Sequence, residues 1–181
     1  MRIIRRLYTL TLVFIFSVIF VVGQSIWEKI INPPKSGEEI KREQILTWAK
    51  SIVSYENRHE VEMTEFYSLL DILDRRELTD AEISRLQTCQ QNVLAISKEA
   101  RNLKVPSKVS DTHLLIIDYY TKSYDAIYNF NQGVIYYDSY YLNKADFAVT
   151  DAVRSGDNAN KQFNKLMDEF NISCNEINFC E

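Results

Sequence analysis

An apolar stripe that recurs at steps of three and four residues is the strongest constraint on how this chain folds. Ser36 and Glu39, spaced as a helix-capping box, precede it. The stripe comprises Ile45, Trp48, Ile52, Tyr55, His59, Met63, Phe66, Leu70 and Leu73. This spacing places side chains on one face of an α-helix, and the stripe is far longer than a strand. The sequence therefore predicts a long first helix that buries one face.

Two further stripes with the same spacing follow. The second begins after Thr79 and Glu82, which again have capping-box spacing, and ends before Pro106. The third begins just beyond Pro106, where Ser107 or Ser110 is the candidate N-cap. Each proline or capping residue separates two runs of helical periodicity, so the segments predict two consecutive helices joined by a short connection.

A fourth stripe is rich in small residues. We expect its helix to begin after Asn143 and to end near Asn171, with Gly156 serving close packing rather than a break. The inward positions of this stripe are Ala145, Val149, Ala152, Gly156, Ala159, Phe163, Met167 and Phe170. Small side chains allow a neighbouring backbone to approach closely, so this helix is expected to pack tightly in the bundle.

The scarcity of turn-forming residues supports an all-α fold. Only 4 glycines and 3 prolines occur in 181 residues, too few for the many turns of a sandwich, barrel or doubly wound sheet. Short connections make consecutive helices antiparallel. We therefore predict an up-down-up-down four-helix bundle over residues 37–171, with a long first helix and a C-terminal tail over residues 172–181.

The N-terminal segment indicates membrane targeting. Arg2, Arg5 and Arg6 are followed by an uncharged run over residues 7–27, which as a helix would reach roughly 30 Å, the thickness of a bilayer's hydrocarbon core. Residues 1–27 are thus a transmembrane anchor or a signal peptide, and the bilayer is the partner expected for residues 7–27.

Both fates of that segment have sequence support. Val21 and Gly23 have the spacing of a cleavage site, which would release the protein near Gly23, whereas Trp27 is placed like an interfacial anchor. Residues 28–36, with Pro33 and Pro34, form a predicted stalk. In either case the basic N-terminus stays inside, and the rest of the chain is expected to be extracytoplasmic.

The charge of the exported part argues against nucleic acid as a partner. Loss of Arg2, Arg5 and Arg6 with the N-terminal segment leaves 18 basic residues against 25 acidic ones, a net charge near −7. No basic stripe with interleaved aromatic residues remains to neutralise phosphates.

Two histidines are the candidates for a cofactor site. Glu56 and His59 have the Glu-x-x-His spacing of metal-binding helical bundles, and folding back the helices would bring His113 and Met167 to the same layer. The pattern lacks a second Glu-x-x-His, so we expect no metal and no cofactor. The alternative is that each imidazole occupies a partly buried seam, hydrogen-bonded to a neighbour.

No catalytic constellation is recognisable, and the protein is not expected to be an enzyme. The unusual feature is instead a dense set of tyrosines, because eight of the 11 lie between Tyr119 and Tyr141. An outward set of Tyr119, Phe130, Tyr137 and Tyr140 would offer flat rings to an envelope protein or glycan. Alternatively, the tyrosines fill a wide seam with their hydroxyls at the solvent.

The three cysteines add a weak indication of export. Cys174 and Cys180 are close enough in the C-terminal tail to form a disulfide, whereas Cys89 is expected to be buried and free.

These features predict a non-enzymatic, extracytoplasmic helical bundle, membrane-tethered or secreted, that binds a cell-envelope component or partner protein. The alternative is a metal- or haem-binding bundle that uses His59 and His113.

Overall fold

The computed structural model describes residues 36–179, and within this range the chain forms helices and no strand. Four α-helices are present: α1 (Ser36–Leu73), α2 (Asp80–Arg101), α3 (Ser110–Tyr136) and α4 (Ser139–Glu169). Two short 3-10 segments, Ser107–Val109 and Cys174–Ile177, precede α3 and follow α4. The prediction of an all-helical bundle is confirmed.

Contacts between α1 and α3 show that these two helices run in the same direction. Trp48 contacts His113 near the start of α3, and Phe66 contacts Phe130 near its end. Both pairs are offset by nearly the same number of residues, so the two helices advance together along the bundle.

The helices adjacent in sequence are antiparallel. Arg58 on α1 pairs with Glu99 on α2, whereas Glu62, one turn later on α1, binds Asn92, an earlier residue of α2. The same reversal relates α3 and α4, because Tyr119 lies against Gly156. The connections over residues 74–79 and 137–138 therefore share one end of the bundle, which we call the distal end, while Ser36 lies at the opposite, proximal end.

The caps of the helices agree only in part with the sequence analysis. Thr79 caps α2 as predicted, since its side chain accepts a hydrogen bond from the Glu82 backbone and the capping box is complete. The prediction that Ser107 or Ser110 caps α3 is wrong. The N-cap is Val109, without a side-chain bond, and the Ser110 hydroxyl donates to the Ser107 carbonyl at 3.0 Å.

The predicted start of α4 is also wrong. The helix begins at Ser139 rather than after Asn143, because Asp138 Oδ1 accepts a hydrogen bond from the Tyr140 N–H at 2.9 Å and so caps the helix earlier.

The apolar core divides into two clusters along the bundle. The proximal cluster is built around Trp48, Tyr120 and Phe163, and the distal cluster around Phe66 and Leu86. The predicted packing role of Gly156 is confirmed, because a Cβ added there would lie 3.1 Å from the Tyr119 ring.

The C-terminal tail covers the part of α1 that extends beyond α3. The Arg42 guanidinium donates to the carbonyls of Phe170 and Asn171 and forms an ion pair with Glu176 at 2.7 Å. The first turns of α1 are thus held to the end of α4.

Residues 1–35 lie outside the described residues, and with them the predicted anchor or signal peptide, the cleavage position near Gly23 and most of the stalk. In the part of the chain that the structure describes, no helix combines the length and the apolarity needed to cross a bilayer.

Candidate functional site at the distal end

The α3–α4 turn builds a surface of aromatic rings at the distal end. Gly133 lets α4 start close to α3, because a Cβ at this position would lie 2.6 Å from Cδ2 of Leu142. The backbone N–H of Asp138 donates to the Gly133 carbonyl at 3.1 Å, and the Asp138 side chain caps α4. The rings that flank this turn are therefore presented from a short, hydrogen-bonded connection.

Four aromatic side chains around the turn are open to solvent. Their exposed fractions are 65% for Tyr136, 81% for Tyr137, 57% for Tyr140 and 73% for Phe147. We refer to these four residues as the tyrosine tip. Because these four rings bury little surface, they add little to the stability of the core, and stability does not explain why aromatic residues occupy these positions.

Tyr137 has the least favourable backbone conformation of the four. Its φ and ψ of 52° and 37° are left-handed, and it occupies the position after α3 where glycine is the usual residue. A tyrosine in this conformation costs roughly 1 kcal/mol relative to glycine. Because its ring is also exposed, folding alone would favour a different residue here.

A cation already occupies one ring of the tip. Lys144 Nζ lies 4.6 Å from the centroid of Tyr140, whose edge also contacts the ring of Tyr141. This geometry is that of a cation–π contact.

The distal end carries an excess of acidic side chains. Arg75 and Arg76 are both paired, with Asp71 at 3.1 Å and Glu82 at 2.7 Å. Two exposed acids of the same connection, Asp74 and Glu77, and the exposed first residue of α2, Asp80, make no ion pair within residues 36–179. The aromatic rings therefore lie at an end of the bundle where acidic side chains outnumber basic ones, with Lys144 counted.

Two of the four rings predicted for the interaction surface are misplaced. Phe130 is 6% exposed and packs edge-on against Phe66, and Tyr119 lies against His59 and Gly156. Phe130 is therefore a core residue, and Tyr119 is half-buried with its ring packed inward.

Tyr136 and Phe147 were missed as members of this surface. The sequence contains a signal for Phe147. It is spaced at helical steps of four and three from Tyr140 and Lys144, on the face of α4 opposite the buried Ala145 and Val149.

The structure places the His59 ring against two adjacent tyrosine rings. The side chain is fully buried, with ring centroids of Tyr119 and Tyr120 at 4.8 and 5.0 Å, and both imidazole nitrogens lack a hydrogen-bond partner in the described chain. Burial lowers the pKa of His59 to about 3. The expectation of a hydrogen-bonded histidine is therefore wrong for His59.

Glu56 lies beside this histidine on α1 but bonds elsewhere. The Tyr120 hydroxyl donates to Glu56 Oε2 at 3.0 Å. Burial raises the pKa of Glu56 to about 7, although the hydrogen bond from Tyr120 acts in the opposite direction.

His113 has a different environment from His59. Its Nδ1 accepts a hydrogen bond from Trp48 Nε1 at 3.2 Å, so this imidazole fits the predicted seam with a bonded neighbour. Burial lowers the pKa of His113, opposed by the carbonyl of Ala100.

The predicted shared layer of the two histidines is not formed. His113 lies level with Trp48, which is about 16 Å along α1 from His59. Met167 belongs to the proximal cluster together with Trp48. Among residues 36–179, no group of three or more histidine, cysteine, aspartate or glutamate side chains is arranged to hold a metal ion.

The cysteines lie away from the tyrosine tip. Cys89 is buried and free, and its thiol donates to the Glu62 carbonyl at 3.4 Å. Burial raises the pKa of Cys89 to about 12, which makes it a poor nucleophile. Cys174 lies in the C-terminal 3-10 segment, while Cys180 lies outside the described residues, so their pairing stays a prediction.

No protein-family model matches the chain, and the searches of curated proteins and of solved structures gave no match either.

Proposed function

We propose that this protein is a non-enzymatic, extracytoplasmic helical bundle that binds an envelope component through its tyrosine tip. The observation that carries the proposal is Tyr137, a left-handed residue that is 81% exposed. Its ring gains almost no burial, and its backbone conformation favours glycine, so a role in binding accounts for the residue better than a role in folding.

The position of the tip supports the proposal. Ser36, the last residue of the predicted stalk, lies at the proximal end, whereas the tip lies at the distal end. For a chain tethered through residues 7–27, with its N-terminus inside, the tip would be the part of the bundle furthest from the tether. Such a geometry suits contact with another envelope component. A chain released by cleavage near Gly23 would carry the same surface.

Substitution at Tyr137 separates binding from folding. We expect Tyr137→Gly to raise the free energy of unfolding by up to about 1 kcal/mol, because glycine relieves the left-handed strain. Stability would be measured by urea denaturation of the full chain in mild detergent, followed by far-UV circular dichroism. A loss of stability would show that the Tyr137 ring is needed for folding and would remove the main argument.

Binding would be tested in cells by photo-crosslinking of the full chain. A photoreactive phenylalanine at Tyr140 should give a discrete envelope adduct whose yield falls in a Tyr137→Gly background. The matched control is the same probe at Leu114, which is 63% exposed but lies near the start of α3. Equal adducts from both positions, or adducts that do not depend on Tyr137, would contradict the proposal.

The location of the bundle needs a separate test. An impermeant reagent applied to spheroplasts should label a tag placed after Glu181, and the N-terminal residue of the mature protein distinguishes an anchor from a cleaved signal peptide. Protection of the tag in intact spheroplasts, with labelling only after lysis, would place the bundle in the cytoplasm and contradict this part of the proposal.

A further inference from the structure

The distal end combines the exposed rings of the tyrosine tip with an excess of acidic side chains, and this combination selects a class of partner. We propose that the tip receives a cationic segment, containing lysine or arginine, of a partner protein. The inference rests on the proposed function and names the chemistry of the partner at the same surface.

The exposed rings of the tip favour a cationic partner. The face of a tyrosine ring is the negative end of its quadrupole and attracts ammonium and guanidinium groups. Lys144 uses the Tyr140 ring in this way at 4.6 Å. Tyr136 and Tyr137 are even more exposed and have no ring or cation partner of this kind in the described chain. Their faces are open to cations from another molecule.

Acidic side chains at the same end of the bundle also favour a cationic partner. Both arginines of the α1–α2 connection are already paired, whereas Asp74, Glu77 and Asp80 are exposed without an ion pair in the described chain. These three carboxylates share the distal end with the rings and outnumber Lys144, which makes no ion pair in the described chain, so the net field at this end attracts a cationic segment. Complementary charge of this kind speeds association and orients the partner.

The same charges disfavour the other occupants of an aromatic surface. Anionic lipid headgroups would be repelled by Asp74 and Glu77. A second copy of the chain would bring a like-charged tip against this one in a symmetric dimer. A cationic polypeptide is the occupant that both the rings and the carboxylates favour.

The experiment uses the full chain in phosphatidylcholine nanodiscs and a fluorescent peptide of alternating glycine and arginine. Peptides of alternating glycine and glutamate, or glycine and serine, serve as probes without positive charge. We expect only the arginine peptide to bind, with a Kd that rises with salt concentration. Equal binding of the serine peptide, or no binding of the arginine peptide, would overturn the inference.

Two pairs of substitutions locate the binding site. Combining Tyr136→Ser with Tyr137→Ser should weaken the arginine peptide roughly 5- to 30-fold, the effect of two exposed cation–π contacts. Combining Asp74→Asn with Glu77→Gln should weaken it roughly 2- to 10-fold.

A matched control tests whether the effect is local. Glu38→Gln combined with Glu39→Gln removes two exposed acids at the proximal end. The Kd of the arginine peptide should stay within about 2-fold of the wild-type value, because these charges lie several Debye lengths from the tip. An equal loss in this control would show diffuse attraction to an acidic protein and would overturn the inference.

Three further results distinguish the possible failures. Tyr137-dependent binding to phosphatidylglycerol vesicles without peptide would replace the cationic segment by a lipid surface. Tyr137-dependent self-association in sedimentation would replace it by a second copy. If the Tyr137-dependent crosslink forms in cells but the arginine peptide does not bind, only the cationic chemistry of the partner is overturned. If neither the crosslink nor peptide binding is observed, the proposed function is overturned as well.

Discussion

The fully buried His59 makes a counterintuitive prediction, namely that replacing it with leucine stabilises the protein. A neutral imidazole carries one N–H donor and one acceptor nitrogen, and neither nitrogen of His59 has a hydrogen-bond partner among residues 36–179. His59→Leu removes both polar atoms and leaves an apolar side chain against Tyr119 and Tyr120.

The size of the effect follows from two opposing contributions. A buried polar group without a partner costs about 1–3 kcal/mol, and His59 has two such groups. Loss of the ring contacts with Tyr119 and Tyr120 costs about 0.5–1.5 kcal/mol each. We expect His59→Leu to raise the free energy of unfolding by about 1–3 kcal/mol near pH 7.

The effect should grow in acid. Burial lowers the pKa of His59 to about 3, so between pH 6.5 and pH 3 the unfolded chain binds a proton that the folded chain does not. Stability contributed through His59 is therefore lost as pH falls through this window. The loss at pH 5 is about 2 kcal/mol, and the advantage of His59→Leu over the wild type should widen by that amount.

Urea denaturation of the full chain in mild detergent, at about pH 7 and about pH 5, measures both values. His113→Leu is the matched control. It removes the unpartnered Nε2 of His113 but leaves the Trp48 N–H without its acceptor. These two contributions of about 1–3 kcal/mol oppose each other, so we expect no stabilisation comparable to that of His59→Leu. If His59→Leu instead destabilises the protein by more than 1 kcal/mol, the imidazole has a partner, such as a buried water or a ligand, and the reasoning is refuted.

Two other substitutions test neighbouring features by the same assay. Glu56→Gln keeps an acceptor for the Tyr120 hydroxyl but removes the carboxylate charge, so it should stabilise the protein by about 1–3 kcal/mol at pH 8. At pH 5 the gain should be less than about 1 kcal/mol, because the raised pKa of about 7 keeps Glu56 protonated in the folded protein. An equal gain at both pH values would contradict this prediction. Gly133→Ala should destabilise the protein by about 1–3 kcal/mol, because the added Cβ clashes with Leu142. Gly37→Ala is the control and should not destabilise the protein, because no atom lies within 4 Å of the added Cβ. Equal effects of the two substitutions would show that the α3–α4 turn has room to adjust.

The helices were predictable because their signals are local. Each apolar stripe lies within one segment, and the Thr79 cap depends on the residues that follow it directly. The early start of α4 was harder to predict, since residues 139–142 carry no apolar periodicity. What begins the helix there is the Asp138 cap together with the close approach of Leu142 to Gly133.

The prediction that the two histidines share a layer is wrong because of the position of one turn. When two antiparallel helices are paired, an error in the position of the turn changes the number of the facing residue by twice as much. The proline pattern predicts a reversal between α2 and α3 near Pro106. The pairs Arg101–Thr121 and Gln90–Asn131 instead centre the reversal near residue 111. A shift of about five residues at the turn moves the facing residue by about ten, or roughly 15 Å along an α-helix. Prolines mark where a helix stops, but they do not determine how much chain the connection uses.

The split of the tyrosines between core and surface could not be read from their number, because α3 contributes rings to both. Tyr120 is fully buried and donates a hydrogen bond to Glu56, while Tyr136 at the end of the same helix is exposed. The difference arises from neighbours. Tyr120 lies in the middle of α3 against His59 and Glu56 of α1, whereas Tyr136 is the last residue of α3 and its side chain is mostly in solvent.

Selection for folding alone would replace exposed aromatic rings at such an end with polar residues or, at position 137, with glycine. The chain instead has aromatic residues at four exposed positions around one turn, and these are supported by the buried distal cluster around Phe66. A well-packed support matters for recognition because it fixes the backbone that carries the rings, so that binding has to order only the side chains. The tyrosine tip therefore consists of exposed side chains that folding does not require, carried on a well-packed end of the bundle. This is the arrangement expected of a binding surface.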